Sequence, residues 1–292
     1  MVVTLACLII AVHPDCIPVW RGHWTGPITQ KSVRRVTLLA FIAFVLSTAQ
    51  AEQKPLSQHT CIHPPYKVHV FSKSPLVIYI PNFLTVEERE HLQEITKGTF
   101  SNSAVADESG EQGLRQTRTS QSASVIRDPV VRCIETRALE FQGFDTPRTH
   151  LEPFQLVQYG NGENYHLHTD WFEAPSRMTP DVGGNRISSF FVYVAASNLT
   201  GGGTNFPILN APYDDRWCEF VDCDEPWENG VTFRPVPGNA VFWQNLHEDG
   251  SGDPSTIHAG LPVTSGSKLG MNIWTRQGPL DEKFRGADDF DA

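Results

Sequence analysis

Phe154-Gln155-Leu156-Val157-Gln158-Tyr159, then Gly160-Asn161-Gly162, then Tyr165-His166-Leu167-His168-Thr169-Asp170-Trp171: the reading of this stretch decides the fold. Two short runs of apolar and aromatic residues flank a Gly-Asn-Gly turn signal, the pattern of β-strands joined by a tight connection. In the second run His168 and Asp170 stand two residues apart. Side chains at i and i+2 of a strand share a face, so both are expected to aim at one point. One distant imidazole would complete a 2-His-1-carboxylate facial triad, which leaves open coordination positions on a metal.

A His-x-Asp triplet alone carries little weight. With 11 His in the chain, roughly one such triplet arises by chance, and His247-Glu248-Asp249 is a second. His247 leads into Asp249-Gly250-Ser251-Gly252-Asp253-Pro254, a turn-rich loop, so a solvated loop histidine is expected there. His258 is the better partner. It sits in Ile257-His258-Ala259-Gly260-Leu261-Pro262-Val263, and Lys268 follows ten residues later, just before an apolar run. Alone, His258 reads equally as a core histidine and Lys268 as a surface lysine. Together, behind the His-x-Asp run, they describe a metal with a cation nearby for the far carboxylate of a dicarboxylic acid.

Farther out, Pro75 to Phe83 reads as a buried strand, and Thr85 with Glu88 forms a capping box that opens a helix whose apolar face is Leu92, Ile95 and Phe100. Ser101 to Arg118 reads as a loop. Asp128-Pro129 opens a second helix, with Val130, Ile134, Ala138 and Phe141 near helical spacing. After about residue 150 the runs become short and strand-like: Ser188 to Ala196, Val231 to Pro235, Ala240 to Trp243 and Leu269 to Thr275, punctuated by Gly201-Gly202-Gly203 and Pro237-Gly238-Asn239. Helices followed by many strands imply an α+β, mainly β chain, a helical layer on a β-sandwich or jelly roll.

With these residues in place, the sequence resembles the prolyl 4-hydroxylase-like 2-oxoglutarate/iron(II)-dependent dioxygenases. The likeness rests on Tyr159, the run Tyr165 to Trp171, Arg186, Gly202-Gly203-Thr204-Asn205-Phe206-Pro207, Pro237 to Trp243, His258-Ala259-Gly260, Lys268 and Trp274, in order across roughly residues 60 to 277. It implies a double-stranded β-helix (jelly roll) core with N-terminal helices packed on one sheet. It implies His168, Asp170 and His258 as iron ligands and catalytic residues. Lys268, Tyr159 and Thr204 would bind 2-oxoglutarate, and Tyr165, Arg186 and Trp274 would line the substrate groove. Iron(II), 2-oxoglutarate and O2, with ascorbate as an accessory, would oxidise an organic substrate, with peptidyl proline one candidate, releasing succinate and carbon dioxide. Leu269 departs from the Trp that relatives often carry after the Lys. The resemblance does not extend to the separate N-terminal peptide-binding region of the collagen-modifying enzymes. Three other readings stand beside it: the same iron site acting on a small metabolite or amino acid, an inactive jelly-roll binding domain, and a zinc hydrolase, for which Lys268 has no task.

The 292 residues suffice for one full core with a small appendage. A formal net charge of -10 argues against a nucleic-acid partner. Arg34 and Arg35, the apolar run Val36 to Leu46 and Ala49-Gln50-Ala51 have the layout of a secretory signal peptide, with a short membrane anchor as the alternative. The expected organisation is an upstream extension plus that segment over 1–51, a linker over 52–66, one dioxygenase domain over 67–280 and an acidic tail over 281–292. The expected location is the secretory pathway, in the endoplasmic reticulum lumen or outside the cell. Of the six cysteines, Cys7 and Cys16 precede the cleavage site, and Cys61, Cys133, Cys218 and Cys223 follow it, an even number that fits an oxidising compartment. Cys218 and Cys223 are spaced to close a small loop. Asn198-Leu199-Thr200 is a glycosylation sequon.

Overall fold

Alternation along one long strand organises the molecule. In Arg186–Gly201, Phe190, Val192 and Val194 face a layer of helices, whereas Phe191 and Tyr193 face a second sheet. A strand buried on both faces reads as a continuous apolar run, and this one does. The computed structural model of the chain describes residues 60–286, apart from 104, 107–111, 114–117, 144, 211–213 and 227–228. The extension, the signal segment, Cys7, Cys16 and residues 287–292 of the acidic tail lie outside the described residues.

In chain order the strands are β1 (His69–Lys73), β2 (Leu76–Ile80), β3 (Ser101–Asn102), β4 (Val105–Ala106), β5 (Gln112–Gly113), β6 (Gln121–Ser124), β7 (Gln155–Tyr159), β8 (Tyr165–His168), β9 (Arg186–Gly201), β10 (Thr204–Phe206), β11 (Val231–Phe233), β12 (Ala240–Gln244), β13 (His258–Gly260) and β14 (Val263–Arg276). The helices are α1 (Val86–Ile95), α2 (Pro129–Gln142) and α3 (Glu282–Arg285). A major sheet runs β1-β2-β12-β9-β14-β7-β6-β3, and a minor sheet runs β11-β10-β13-β8. Their pairings are antiparallel. The expected jelly roll is therefore present, with both major helices packed on the major sheet.

Local chemistry starts both helices where the sequence placed them. Thr85 accepts from the Glu88 backbone N–H while the Glu88 carboxylate takes the Thr85 N–H, a complete capping box. Asp128 caps α2 through the Val131 N–H, with Pro129 at the first helical position. The fully buried Arg137 of α2 forks onto Glu88 at 2.8 and 2.6 Å and also reaches the Phe83 carbonyl. One carboxylate thus finishes the cap of α1 and locks α1 to α2. The apolar side chains between helices and sheet each contribute roughly 1.5–3 kcal/mol by leaving water.

Three expectations need correction. The first helix ends at Ile95, so Phe100 packs against the core from the chain beyond the helix and not from its apolar face. The strand expected over Tyr165 to Trp171 ends at His168, and Asp170 lies in a bend beyond it, so the shared-face argument does not place the carboxylate. The stretch read as a loop, Ser101 to Arg118, contributes three short strands; β3 joins the major sheet through β6, because its backbone finds a ladder partner that no local pattern announces. Cys61 is bonded to Cys133 and Cys218 to Cys223. The first bond and the Ile62 carbonyl, which accepts from Arg137, tie the end of the expected linker to α2. Among the described residues no helix is long and apolar enough to cross a membrane.

Candidate active site

The minor sheet assembles the predicted metal ligands. β8 and β13 are antiparallel neighbours, with His168 in register opposite His258. The bend after β8 then turns the Asp170 carboxylate back between the two rings. His168 Nε2 lies 3.9 Å from one carboxylate oxygen of Asp170 and His258 Nε2 lies 3.9 Å from the other. These gaps are too long for hydrogen bonds, yet the three ligand atoms lie within 4.8 Å of one another. Each ring is aimed by its far nitrogen: Nδ1 of His168 sits 2.8 Å from the His166 carbonyl, and Nδ1 of His258 sits 2.9 Å from the Thr256 carbonyl. A backbone carbonyl takes a proton at Nδ1 and leaves Nε2 as a lone-pair donor, the usual support for a metal-binding histidine. Tyr165 stacks on His168 at 3.6 Å between centroids, while Phe206 and Trp243 wall in His258.

The electrostatics match this donor set. Burial, aided by His258, pushes the His168 imidazole well below the ordinary histidine range, which keeps it neutral. Burial opposes ionisation of Asp170, but His258, His168 and Arg186 outweigh it and hold the carboxyl below its usual range. Two imidazoles presenting Nε2 and one carboxylate, with room left on one side, suit a non-haem iron(II) ion. His247 is half-exposed in its loop, and its Nδ1 lies 3.8 Å from Asp253, away from this cluster.

Beside the triad lies a buried cation. Lys268 is 1% exposed and has no carboxylate partner among the described residues. Its Nζ donates to the Gly202 carbonyl at 2.5 Å and lies 4.6 Å from the centre of the Tyr159 ring. Burial alone lowers its pKa to about 7. Tyr159 is its register partner across β7 and β14. Thr204 sits on the adjoining minor-sheet strand, its hydroxyl accepting from Tyr193 at 2.8 Å. An interior ammonium without a counter-ion is expensive, which is the cost that lowers this pKa, and an anion at its side would relieve it.

The triad, Tyr159, Thr204 and the predicted groove residues line one cavity of about 740 Å³. Arg186 lies flat over Trp274 at 3.6 Å and forks onto Glu152 at 2.7 and 2.8 Å. Arg118, bridged to Tyr165 across the backbone, lies 4.7 Å over its ring and donates to Ser120 and Gln155. Of the residues expected at the site, all but Lys268 line this space, and Lys268 adjoins it through the rings of Tyr159 and Phe191.

Sequence reasoning missed Glu152, Phe172, Arg177, Phe191 and Arg276, which line the same cavity. Arg276 had a signal, since it stands two residues past Trp274 and so shares its face of the strand. Phe191 had one too, because its alternation with Phe190 puts it on the inner face. Glu152 and Arg177 lie outside regular strands and carried no pattern.

Comparison with known proteins gives a consistent picture. A sequence model described as the 2OG-Fe(II) oxygenase superfamily matches residues 154–276. Prolyl 4-hydroxylase 2 of Arabidopsis thaliana is 30% identical over 259 residues, covering 86% of this chain and 84% of that one. Probable prolyl 4-hydroxylase 4 of the same organism is 30% identical over 256 residues, covering 85% and 83%. Among solved structures, the viral collagen prolyl hydroxylase of Paramecium Bursaria Chlorella virus-1, as its 2OG complex, covers 75% of this chain and 99% of its own, at 23% identity and a TM-score of 0.48.

Proposed function

From the premise that this chain belongs to the prolyl 4-hydroxylase-like 2-oxoglutarate/iron(II) oxygenases, we propose that it hydroxylates a prolyl residue within a peptide. As a member of that family it is an oxidoreductase that uses iron(II), 2-oxoglutarate and O2. In our reading His168, Asp170 and His258 hold the iron. Lys268, Tyr159 and Thr204 receive the far carboxylate of 2-oxoglutarate, and Tyr165, Arg186 and Trp274 hold the substrate. Together, bound iron(II), 2-oxoglutarate and dioxygen supply the oxidising chemistry, with release of succinate and carbon dioxide.

The protein's share is position, charge and exclusion of water. The backbone carbonyls of His166 and Thr256 keep both Nε2 atoms facing the metal. The Lys268 ammonium fixes one end of the dicarboxylate, and the apolar walls of Phe206, Trp243 and Phe191 keep solvent from the reacting side. The observation that carries the reading is the buried, uncompensated Lys268 beside a ready-made triad; a zinc hydrolase would have no use for it. The peptidyl substrate is supported by the curated relatives, two of which bear the name prolyl 4-hydroxylase 2 and probable prolyl 4-hydroxylase 4. We take residues 67–280 as the catalytic domain. The two disulfides support work in the secretory pathway.

The test is product analysis. Purified protein with iron(II) and 2-oxoglutarate is incubated with proline-rich peptides and read by mass spectrometry. The expected result is a gain of one oxygen atom on proline, matched by succinate. Iron-dependent succinate formation with no oxidised peptide would overturn the peptidyl reading and leave a small metabolite or amino acid as the substrate.

A further inference from the structure

The cavity wall next to the iron triad carries more positive charge than its own residues balance. The Phe172 ring is faced by Arg177 at 4.0 Å, Arg186 at 4.8 Å and Arg276 at 4.8 Å. Among the described residues one carboxylate, Glu152, forms ion pairs with this group. That carboxylate is spent on Arg186, which takes both its oxygens. Arg276 Nε lies 3.3 Å from Glu152 but out of line for a hydrogen bond, and its Nε and Nη1 are both buried with no hydrogen-bond partner among the described residues. The side chain is 7% exposed. Arg177, in the short turn Pro175–Arg177, is half-buried and makes no side-chain hydrogen bond or ion pair among the described residues. The neighbouring Glu173 is exposed and likewise without a partner among them, and Asp170 serves the triad.

Interiors rarely keep guanidinium donors unpaired, because desolvation goes uncompensated, and this applies to the buried Arg276. Three cations about one anion suggest a wall completed by a ligand. We propose that Arg177 and Arg276 receive a carboxylate of the substrate peptide, carried by an acidic residue flanking the prolyl residue that is oxidised. This rests on the peptidyl-prolyl reading above. A planar guanidinium fork matches a carboxylate's two oxygens better than any other side-chain cation does. The location is right for a flanking residue: Arg186, which faces the same Phe172 ring as the pair, lies 3.4 Å from the Asp170 carbonyl and stacks on Trp274. The cosubstrate's carboxylate does not answer the need, since Lys268 supplies its cation on the Gly202 side. Burial lowers Arg276 to about 10, so it remains charged at neutral pH and continues to require a counter-ion.

The experiment compares peptides that differ only beside the proline, carrying Glu, Gln or Lys, each with a free or an amidated C-terminus. Two quantities are read on the iron- and 2-oxoglutarate-loaded protein: kcat/KM for hydroxylation, and peptide affinity without oxygen. The Glu peptide is expected to exceed the Gln peptide by about tenfold or more, the scale of a charge-assisted hydrogen bond. Arg177→Gln and Arg276→Gln should each pull that ratio toward one, and Arg177→Glu should shift preference to the Lys peptide. If Arg276→Gln fails to fold, the two Arg177 variants still decide. A ratio near one in the unaltered protein, or one that the Arg177 variants leave intact, overturns the proposal. So does a preference that depends on the free C-terminus and not on Glu. Equal hydroxylation of all the peptides would sink the cradle and keep the prolyl reading. Arg177-dependent binding of the Glu peptide with no oxidised proline would keep the cradle and sink the prolyl reading.

Discussion

His168 and His258 are register partners on adjacent antiparallel strands, their ring centroids 4.2 Å apart, although they stand 90 positions apart in the chain. That pairing, and not the His-x-Asp triplet, turns two ordinary histidines into one donor set. It also says which substitutions should be decisive.

Replacing His168, Asp170 or His258 by Ala should abolish iron-dependent succinate formation while the circular dichroism of the sheet persists. Each removes a donor from a three-member set without emptying the core. His247→Ala should leave turnover within about twofold, as expected of a surface substitution. Full activity in Asp170→Ala would show the ligand assignment to be wrong.

Lys268 should make 2-oxoglutarate binding depend on pH. Its folded pKa, about 7, lies below the ordinary lysine value because burial disfavours the charged form. Only the ammonium holds the carboxylate, so apparent affinity should fall as pH rises above 7, by up to about tenfold per unit. The stability linkage runs the other way. The unfolded chain binds the extra proton, so the unliganded protein should gain stability between pH 7 and about 10. Titrations with 2-oxoglutarate from pH 6 to 9 check the first; a flat affinity would mean that the lysine is already fully charged.

Gly270 should be indispensable to the shape of the cosubstrate pocket. A Cβ there would meet the Phe191 ring at 2.3 Å. The centre of that ring lies 5.5 Å from Lys268 Nζ. Gly270→Ala should therefore raise the 2-oxoglutarate KM by about tenfold and cost about 1–3 kcal/mol from overpacking. Trimming the ring in Gly270→Ala/Phe191→Leu should recover most of both losses. No recovery would place the effect in the backbone of β14 instead.

The Cys61–Cys133 bond closes a loop with a sequence separation of 72. By loop-closure entropy its removal should cost about 4 kcal/mol. The Cys61→Ser/Cys133→Ser protein should show this as a lower urea midpoint with triad chemistry intact when folded. Arg137→Met should cost about 3–5 kcal/mol, since it leaves the buried Glu88 without its partner. An unchanged midpoint in either protein would refute the corresponding estimate.

The features legible in the sequence are those a few neighbouring residues encode. Thr85 with Glu88 and Asp128 with Pro129 start helices because cap hydrogen bonds span only three or four residues. Phe190 to Val194 declare a strand by an unbroken apolar run, and Cys218 and Cys223 are close enough to find each other. The step from His258 to Lys268 was readable because both lie on consecutive strands of one chain segment. What the tertiary structure decided depends on register between distant segments. Asp170 reaches the metal site through a bend and not a strand face. Cys61 reaches Cys133 across the fold, and Glu152 meets Arg186 and Arg276 from a segment with no periodic signal. An ion pair or a ligand triad is set by a few ångströms in space, and once chain segments fold back on one another those ångströms bear no fixed relation to the number of residues between the partners.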